Sequence, residues 1–281
     1  MFRCSLNRIA AVVVLSLVVL PGCGDVSVNG FPPDPDYAWY WWWPDSTEFV
    51  ARGSFSTLEP VDDRVRVRLD ASNGSVAVIG QPGSGSVLIT AEVIVGSDSL
   101  VDAQAGLDDL NVLVTEGNGE ITIRTDQPGS PDGRQYVVNY TVEVSADLET
   151  VITQTNGDIT VEGMGGAVTV DAVNGNVRLG NTLGDLFVDL SNGRIEGTAS
   201  LPSGGEIRLS GVNTDIDLSV PTSTSAALSA LSSTGSVTGD NLALTDPVFT
   251  GQSLTGTLGG GAGLIRLETV NGNIGITGLD P

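Results

Sequence analysis

Residues Thr155 to Gly197 read TNGDITVEGMGGAVTVDAVNGNVRLGNTLGDLFVDLSNGRIEG, and apolar side chains recur in this stretch at every ninth position. Within each short segment apolar and polar residues alternate, which is the pattern of a β-strand with one buried face. The nine-residue unit is therefore a strand followed by a turn. One apolar row contains Ile159, Val168, Val177, Leu186 and Ile195, and a second contains Val161, Val170, Leu179 and Val188.

The turns between these strands alternate in kind. Asn-Gly pairs begin at Asn156, Asn174 and Asn192, which are eighteen residues apart, and the turns between them are Gly165-Gly166 and Leu183-Gly184. Asn-Gly between strands often marks a hairpin, so an antiparallel meander or sandwich is the alternative fold. A meander gives no reason for every second turn to match. A coil with eighteen residues per rung does, and the sequence therefore predicts an all-β fold, a parallel β-helix or β-solenoid.

Stacking at this period makes specific predictions about side chains. Asn156, Asn174 and Asn192 would form a ladder whose amides bond along the axis of the coil. On the outer surface Arg178 would lie beside Glu196, at the spacing of neighbouring strands. Glycine at each corner would supply the positive φ that a tight corner needs.

The nine-residue step also occurs outside the central stretch. Val67 and Leu69 are followed nine residues later by Val76 and Val78, and residues 265–276 repeat the step near the C-terminus. We therefore predict one β-solenoid domain over residues 61–281, with about ten to twelve rungs at eighteen to twenty residues each. Residues 221–263 lose the period and are expected to form distorted rungs or long loops. We predict no helix, because no stretch shows a 3.6-residue period.

The two ends of such a coil expose unpaired strand edges, which can pair with other chains. Arg64, Arg66 and Arg68 are expected to guard the N-terminal edge. Residues 271–278 are expected to form the C-terminal edge, which carries no charged guard. Self-association through the ends of the solenoid is therefore an expectation.

The first 22 residues are a predicted signal peptide. Arg3 and Arg8 precede a twelve-residue apolar core, too short for a comfortable transmembrane helix. The core leads into Leu20-Pro21-Gly22-Cys23, which resembles the lipobox of bacterial lipoproteins. We therefore expect Cys23 to be lipidated and to anchor the chain to a membrane of the cell envelope. Cleavage as an ordinary secretory signal is the alternative.

Residues 23–60 are a predicted linker, because they are rich in proline and have no sustained apolar period. All four tryptophans of the chain lie in this linker, at Trp39, Trp41, Trp42 and Trp43. Aromatic side chains of this kind favour boundaries between apolar and wet surroundings. We expect them to rest at the membrane interface or to pack on the following domain. A stacking platform for surface glycans is the alternative.

Composition excludes several functions. The formal net charge is −22, the positive residues are all arginine, and the chain has no histidine. An acidic chain repels phosphates, so we expect no nucleic acid partner. The absence of histidine excludes histidine-based catalysis and His-containing zinc motifs, and we expect no cofactor and no metal.

Carboxylates are the remaining candidates for chemistry. Asp171 and Asp189 are eighteen residues apart and would stack on one outer face, and Asp215 and Asp217 would share one side of a strand. Such pairs could serve a polysaccharide-active enzyme or bind Ca²⁺. Solvated surface charge is the interpretation we favour, because the chain has 34 acidic residues.

The run YTVEVSADLETVITQTNGDITVEGMGGAVTVDAVNGNVRL, from Tyr140 to Leu179, resembles a bacterial adhesin-like family of β-helical envelope domains of unknown function. The resemblance covers about residues 65–279. The family usually has proline after its V-x-V strand, where this chain has Ser145-Ala146. The resemblance implies a β-solenoid at the cell surface or in the periplasm, with no catalytic residues. We therefore expect a lipid-anchored, non-catalytic interaction module whose partner is a surface glycan or an envelope protein.

Overall fold

The computed structural model describes residues 49–128 and 133–280. These residues form eighteen strands and one helix, and the strands join a single hydrogen-bonded sheet. The all-β prediction is confirmed. The elements are β1 (Phe49–Pro60), β2 (Arg66–Asn73), β3 (Val76–Gln81), β4 (Ser86–Ser97), α1 (Leu100–Asp109), β5 (Asn111–Gly117), β6 (Glu120–Asp126), β7 (Gln135–Ser145), β8 (Glu149–Asn156), β9 (Ile159–Glu162), β10 (Val168–Thr182), β11 (Leu186–Ala199), β12 (Glu206–Pro221), β13 (Ala226–Ser232), β14 (Val237–Asp240), β15 (Leu244–Phe249), β16 (Ser253–Leu258), β17 (Gly263–Asn271) and β18 (Ile274–Leu279).

Strands β10 and β11 pair in parallel, and from Val168 to Leu179 each paired residue lies opposite the residue eighteen positions later; after a shift in register Thr182 lies opposite Ala199. Val168 faces Leu186, and Val177 faces Ile195. The preceding strands continue this register, because β8 pairs with the first half of β10 and β9 with its second half. The register keeps every apolar row on one face, since a shift of one residue would turn the row outward. The eighteen-residue pairing is therefore the observed one between Thr150 and Gly197.

Eight such units, each with two strand segments, stack in parallel, and we call each unit a layer. Their spatial order is β6/β7, β2/β3, β8/β9, β10, β11, β12, β17/β18 and β13/β14. This number is smaller than the ten to twelve rungs predicted, because residues that fit no layer form antiparallel strands and a helix. The buried side chains of all the layers belong to one apolar core.

The order of the layers differs from the order of the chain, and this corrects the predicted edges. Arg66 and Arg68 lie on β2, which has β6 on one side and β8 on the other. The segment predicted as the C-terminal edge includes β18, which lies between β12 and β14. Both predictions were wrong because later or earlier parts of the chain add outside these strands. The layer β6/β7 lies outside β2/β3, and the layer β13/β14 lies outside β17/β18.

Antiparallel strands extend the terminal layers. At one end β4 pairs with β7, β1 pairs with β4, and β5 pairs with β6. At the other end β16 pairs with β13, and β15 pairs with β16. Residues 49–60 were predicted to belong to the linker, and this was wrong, because β1 pairs with β4 along its whole length. Residues 221–263 contain one more parallel layer and two antiparallel strands.

The prediction of no helix was also wrong. Helix α1 begins after Ser99, whose hydroxyl accepts a hydrogen bond from the Asp102 backbone amide, and this is a helix N-cap. The helix buries Ala103 together with Gly106 and Leu107, which follow it by three and four residues. It packs against β1 and β4 and covers the core at that end of the stack. The cap and this spacing were visible in the sequence, but a helix of ten residues has fewer than three turns, so its 3.6-residue period of apolar residues is short.

A column of glycines lines the corners between the two halves of the central layers. Gly157, Gly175 and Gly193 have φ values of 130°, 139° and 141°. A Cβ on Gly175 would overlap the carbonyl oxygen of Gly157, and one on Gly193 would overlap that of Gly175. Both the backbone conformation and the space at these corners therefore require glycine.

We predict that Gly175→Ala lowers the free energy of unfolding by roughly 2 kcal/mol or more, because the methyl group has no space and the φ is unfavourable for alanine. Urea unfolding followed by circular dichroism measures the change. Gly85→Ala is the matched control, since a Cβ there meets open space. Equal stability of the two variants would contradict the assignment of the corner.

Candidate functional site

The structure brings Asn156, Asn174 and Asn192 together at the corners of successive layers. The Asn174 side-chain amide donates to Oδ1 of Asn156 at 2.8 Å, and that of Asn192 donates to Oδ1 of Asn174 at 3.0 Å. Each side chain is both donor and acceptor, so the bonds run in one direction along the stack. Such chains of bonds polarise one another and strengthen together.

This asparagine ladder is longer than the sequence predicted. Asn156 donates to Asn73 at 2.8 Å, and Asn73 donates to the Tyr136 carbonyl oxygen at 3.3 Å. At the other end Asn213 donates to Asn192 and Asn271 donates to Asn213, each at 2.8 Å, and the Thr234 hydroxyl donates to Asn271 at 3.0 Å. Seven side chains thus form one chain of hydrogen bonds. In spatial order they are Asn73, Asn156, Asn174, Asn192, Asn213, Asn271 and Thr234.

A second polar row runs beside the ladder, two residues after the asparagines. Oδ1 of Asp158 accepts from the backbone amide of Asn176 at 2.9 Å and from its side chain at 3.0 Å. Asp215 accepts from the Asn273 backbone in the same way at 2.7 Å. These contacts satisfy backbone amides at the corner, where the regular strand pairing is interrupted. The corner is therefore held by both rows.

One layer departs from the Asn-Gly rule. Thr214 follows Asn213 where the other central layers have glycine, and its side chain is buried. Its hydroxyl donates to the Leu190 carbonyl oxygen at 2.7 Å, and Gly211 leaves the space that it occupies. The ladder continues through this layer because Asn213 still occupies its position.

The predicted outer pairs are placed as expected in register but differ in their contacts. Arg178 lies opposite Glu196, but its ion pair is with Asp158, at 3.5 Å. Asp171 lies opposite Asp189 on the neighbouring strand, and both are exposed. Arg194 contacts the other predicted pair, at 3.6 Å from Asp215 and 3.4 Å from Asp217. Asp215 and Asp217 therefore share a counter-charge.

The described residues provide no group of three or more His, Cys, Asp or Glu side chains that could hold a metal ion. Within the same ranges no helix is long and apolar enough to cross a membrane. Cys23 and the tryptophans Trp39, Trp41, Trp42 and Trp43 lie outside the described residues, as does the predicted signal peptide.

An ion-pair cluster holds α1 at its end of the stack. Arg134 contacts Asp102 at 2.8 Å and Asp109 at 2.9 Å, and the Ser97 hydroxyl also donates to Asp102. Hydrogen bonds from Arg134, and then from Ser97, lower the pKa of Asp102 to about 2. The helix is thereby tied to the strand that precedes it and to the segment before β7.

A cavity of about 650 Å³ opens at the opposite end of the stack, between β14, β15 and β16. Sequence reasoning missed this site, because its walls come from the stretch that lacks the nine-residue period. The volume is typical of small-ligand sites. Its lining consists of Thr222, Gly239, Asn241, Leu242, Ala243, Leu244, Phe249, Leu254 and Asp280.

Comparison with known proteins finds similar structures. No family profile and no curated protein matches the chain. A candidate cell adhesion protein from Clostridium sporogenes has a TM-score of 0.44 and 11% identity, over 82% of this chain and 100% of that one. A candidate adhesin from Bacteroides fragilis has a TM-score of 0.26 and 9% identity, over 80% of this chain and 97% of that one. A candidate adhesin from Parabacteroides distasonis has a TM-score of 0.22 and 13% identity, again over 80% of this chain and 97% of that one. These three proteins are named as candidate adhesion proteins, and the family that the sequence resembles is also named for adhesins.

We predict that Asn174→Ala lowers the free energy of unfolding by roughly 2 kcal/mol, because it removes two ladder hydrogen bonds at about 1 kcal/mol each. Urea unfolding measures the change. Asn111→Ala, at an exposed position outside the ladder, should stay within about 0.5 kcal/mol of wild type. If the two variants are equally stable, the ladder does not contribute as described.

We predict that Asp102→Asn lowers the melting temperature at pH 7. The folded pKa of Asp102 lies below its usual value near 3.8, so its stabilisation is complete above that value and is lost as the pH falls through about 2. The difference between wild type and variant should therefore shrink between pH 4 and pH 2, as measured by thermal unfolding. Asp108→Asn on the same helix is the control, because the ion pairs of Arg134 are with Asp102 and Asp109. A difference that does not change with pH would exclude this cause.

Proposed function

We propose that this chain is a lipid-anchored β-solenoid of the bacterial cell envelope and acts as a non-catalytic, adhesin-like interaction module. The observation that carries the proposal is the asparagine ladder, which joins seven layers from Asn73 to Thr234. A ladder along one axis fits a coil whose layers repeat, and it favours a stiff, elongated domain. Such a domain offers a long surface to a partner.

The outer surface has the chemistry of a binding surface for polar partners. Asp171, Asp189 and Glu196 are exposed on adjacent layers, and the chain carries a net charge of −22. Carboxylates accept hydrogen bonds from the hydroxyl groups of glycans and pair with basic side chains of proteins. A surface glycan or an envelope protein is therefore the proposed partner, and nucleic acid is disfavoured by the charge.

The proposed anchor is a lipid on Cys23, and the proposed role of Trp39, Trp41, Trp42 and Trp43 is at an apolar boundary. The linker then extends from residue 23 to residue 48, since residues 49–60 belong to β1. At about 3.3 Å per residue it could hold the β-domain up to roughly 85 Å from the membrane. Acyl chains at Cys23 would restrict the protein to the envelope.

A polysaccharide-active enzyme is the alternative. The observation in its favour is the pairing of Asp171 with Asp189 on neighbouring strands. Catalysis by two carboxylates needs a sugar held between them and a raised pKa on the acid. Asp171 and Asp189 are exposed and do not line the end cavity, so binding without cleavage is the function that we prefer.

We expect the purified chain to bind envelope polysaccharide or envelope proteins without releasing reducing sugars. Co-sedimentation measures the binding, and an assay for reducing ends measures cleavage. Asp171→Ala combined with Asp189→Ala serves as the matched variant. Cleavage that this variant loses would establish the enzyme instead, and absence of any binding would reject the interaction module.

The anchor is tested in the same cells by palmitate labelling and membrane fractionation. Wild type should carry label and sediment with membranes, whereas Cys23→Ala should carry no label and remain in the soluble fraction. Labelling that persists in Cys23→Ala would reject this anchor and leave the binding result as it stands.

A further inference from the structure

The two ends of the stack differ in how the core is covered. At the end formed by β1 and β5, helix α1 lies over the core and buries Ala103 and Leu107. At the other end the core is open at the cavity of about 650 Å³, where Leu242, Leu244 and Phe249 form an apolar wall. Apolar surface that remains open to water favours an occupant.

The open end also presents the edge of a strand that is only partly paired, since the Val237 backbone amide at its start donates to the Gly251 carbonyl oxygen at 2.9 Å and the edge beyond Val237 remains for a partner. Strand β14 has four residues and, among the described strands, pairs with β18. Gly239 on β14 and Asn241 just after it line the cavity. A segment added to β14 would form main-chain hydrogen bonds while alternate side chains enter the cavity. The nearby edge of β15 is less suited, because Asp246 has a φ of 50° and Pro247 lacks an amide hydrogen.

The chain itself contains a segment with the matching chemistry. Residues 37–43 read YAWYWWW, and they carry no charge in a protein with a net charge of −22. In an extended strand alternate residues share a face, so Tyr37, Trp39, Trp41 and Trp43 would form an unbroken aromatic face. A face of this kind fits an apolar cavity beside a strand edge, and being uncharged it adds no charge to a lining whose acidic residue is Asp280.

The tryptophans nearest to β1 cannot reach the cavity of their own molecule. Trp43 lies six residues before Phe49 and Trp41 lies eight before it, so they reach at most about 22 and 29 Å at 3.6 Å per residue. Nine strand pairings separate β1 from β14, which amounts to about 43 Å at 4.8 Å each. A segment that binds through the whole aromatic face, with Trp41 and Trp43 in the cavity, must therefore come from another molecule.

We propose that the chain associates head to tail, with residues 37–43 of one copy bound in the open end of a second copy, along β14. The contact joins two different surfaces. A heterologous contact of this kind leaves a free segment and a free cavity at the ends of every complex, so the association continues into open chains. The self-association expected from the sequence thereby acquires a defined pair of surfaces, and it does not depend on the choice of glycan or protein partner.

The experiment uses the chain without its predicted signal peptide and with Cys23→Ala, so that neither the apolar core of the signal peptide nor a lipid competes for the cavity. All four tryptophans lie in the donating segment, so tryptophan fluorescence reports on that segment alone. We expect the emission to shift to shorter wavelength and the mass measured by analytical ultracentrifugation to grow as the concentration rises. Emission and mass that do not change with concentration would overturn the proposal.

Phe249→Asp should weaken the association at least about tenfold, because it places a carboxylate in the apolar wall. Val248→Asp is the matched control. It lies on the same strand with 59% of its side chain exposed against 61% for Phe249, and it does not line the cavity. Equal association of these two variants would overturn the assignment of the cavity.

A mixing experiment tests the direction of the contact. The variant with Trp39, Trp41 and Trp43 changed to Ser keeps the cavity and lacks the aromatic face, whereas Phe249→Asp keeps the aromatic face. Each should be monomeric alone, and a mixture of the two should form a heterodimer that grows no further. A symmetric dimer, or a mixture that stays monomeric, would overturn the head-to-tail contact.

Discussion

The structure depends on the close approach of successive layers at the Asn-Gly corner. At Gly157, Gly175 and Gly193 a Cβ would overlap the carbonyl oxygen of the corner glycine in the preceding layer, so these layers can meet at strand spacing only because the residue at each position lacks a Cβ. Asparagine precedes each of these glycines and bonds to its neighbours along the stack. The corner thus combines a steric requirement with a directional hydrogen bond, and it aligns the apolar rows on both sides.

Alignment at the corner explains why the core tolerates few errors of register. The rows of Ile, Val and Leu on adjacent layers face inward together, and Thr214 shows how an exception is accommodated. Its hydroxyl is satisfied by the Leu190 carbonyl oxygen, and Gly211 makes space for it. The layer keeps its register because Asn213 retains the ladder bond. The asparagine position is therefore maintained where the glycine position is not.

The ends of the stack differ from the regular middle in how the core is covered. One end is covered by α1, which is held by the contacts of Arg134 with Asp102 and Asp109. The other end leaves an apolar cavity and, beyond Val237, part of the edge of β14. A repeat that buries its core by stacking must end somewhere, and the terminal layers are where a partner can add to it. Between the ends, the outer rows carry exposed carboxylates such as Asp171, Asp189 and Glu196.

The sequence by itself determined the local repeat: the strand period, the corner residues and the eighteen-residue register between Thr150 and Gly197. These features are local, because stacking at constant period relates residues that are close in the chain. Only the tertiary structure decided the pairing of Asn73 with Asn156 and of Asn213 with Asn271, since segments of variable length separate them and the period does not say where a returning chain will pair. The same reason hid the inner position of β2, the helix α1, the strand β1 and the open end, because each depends on contacts between distant segments rather than on a repeated pattern.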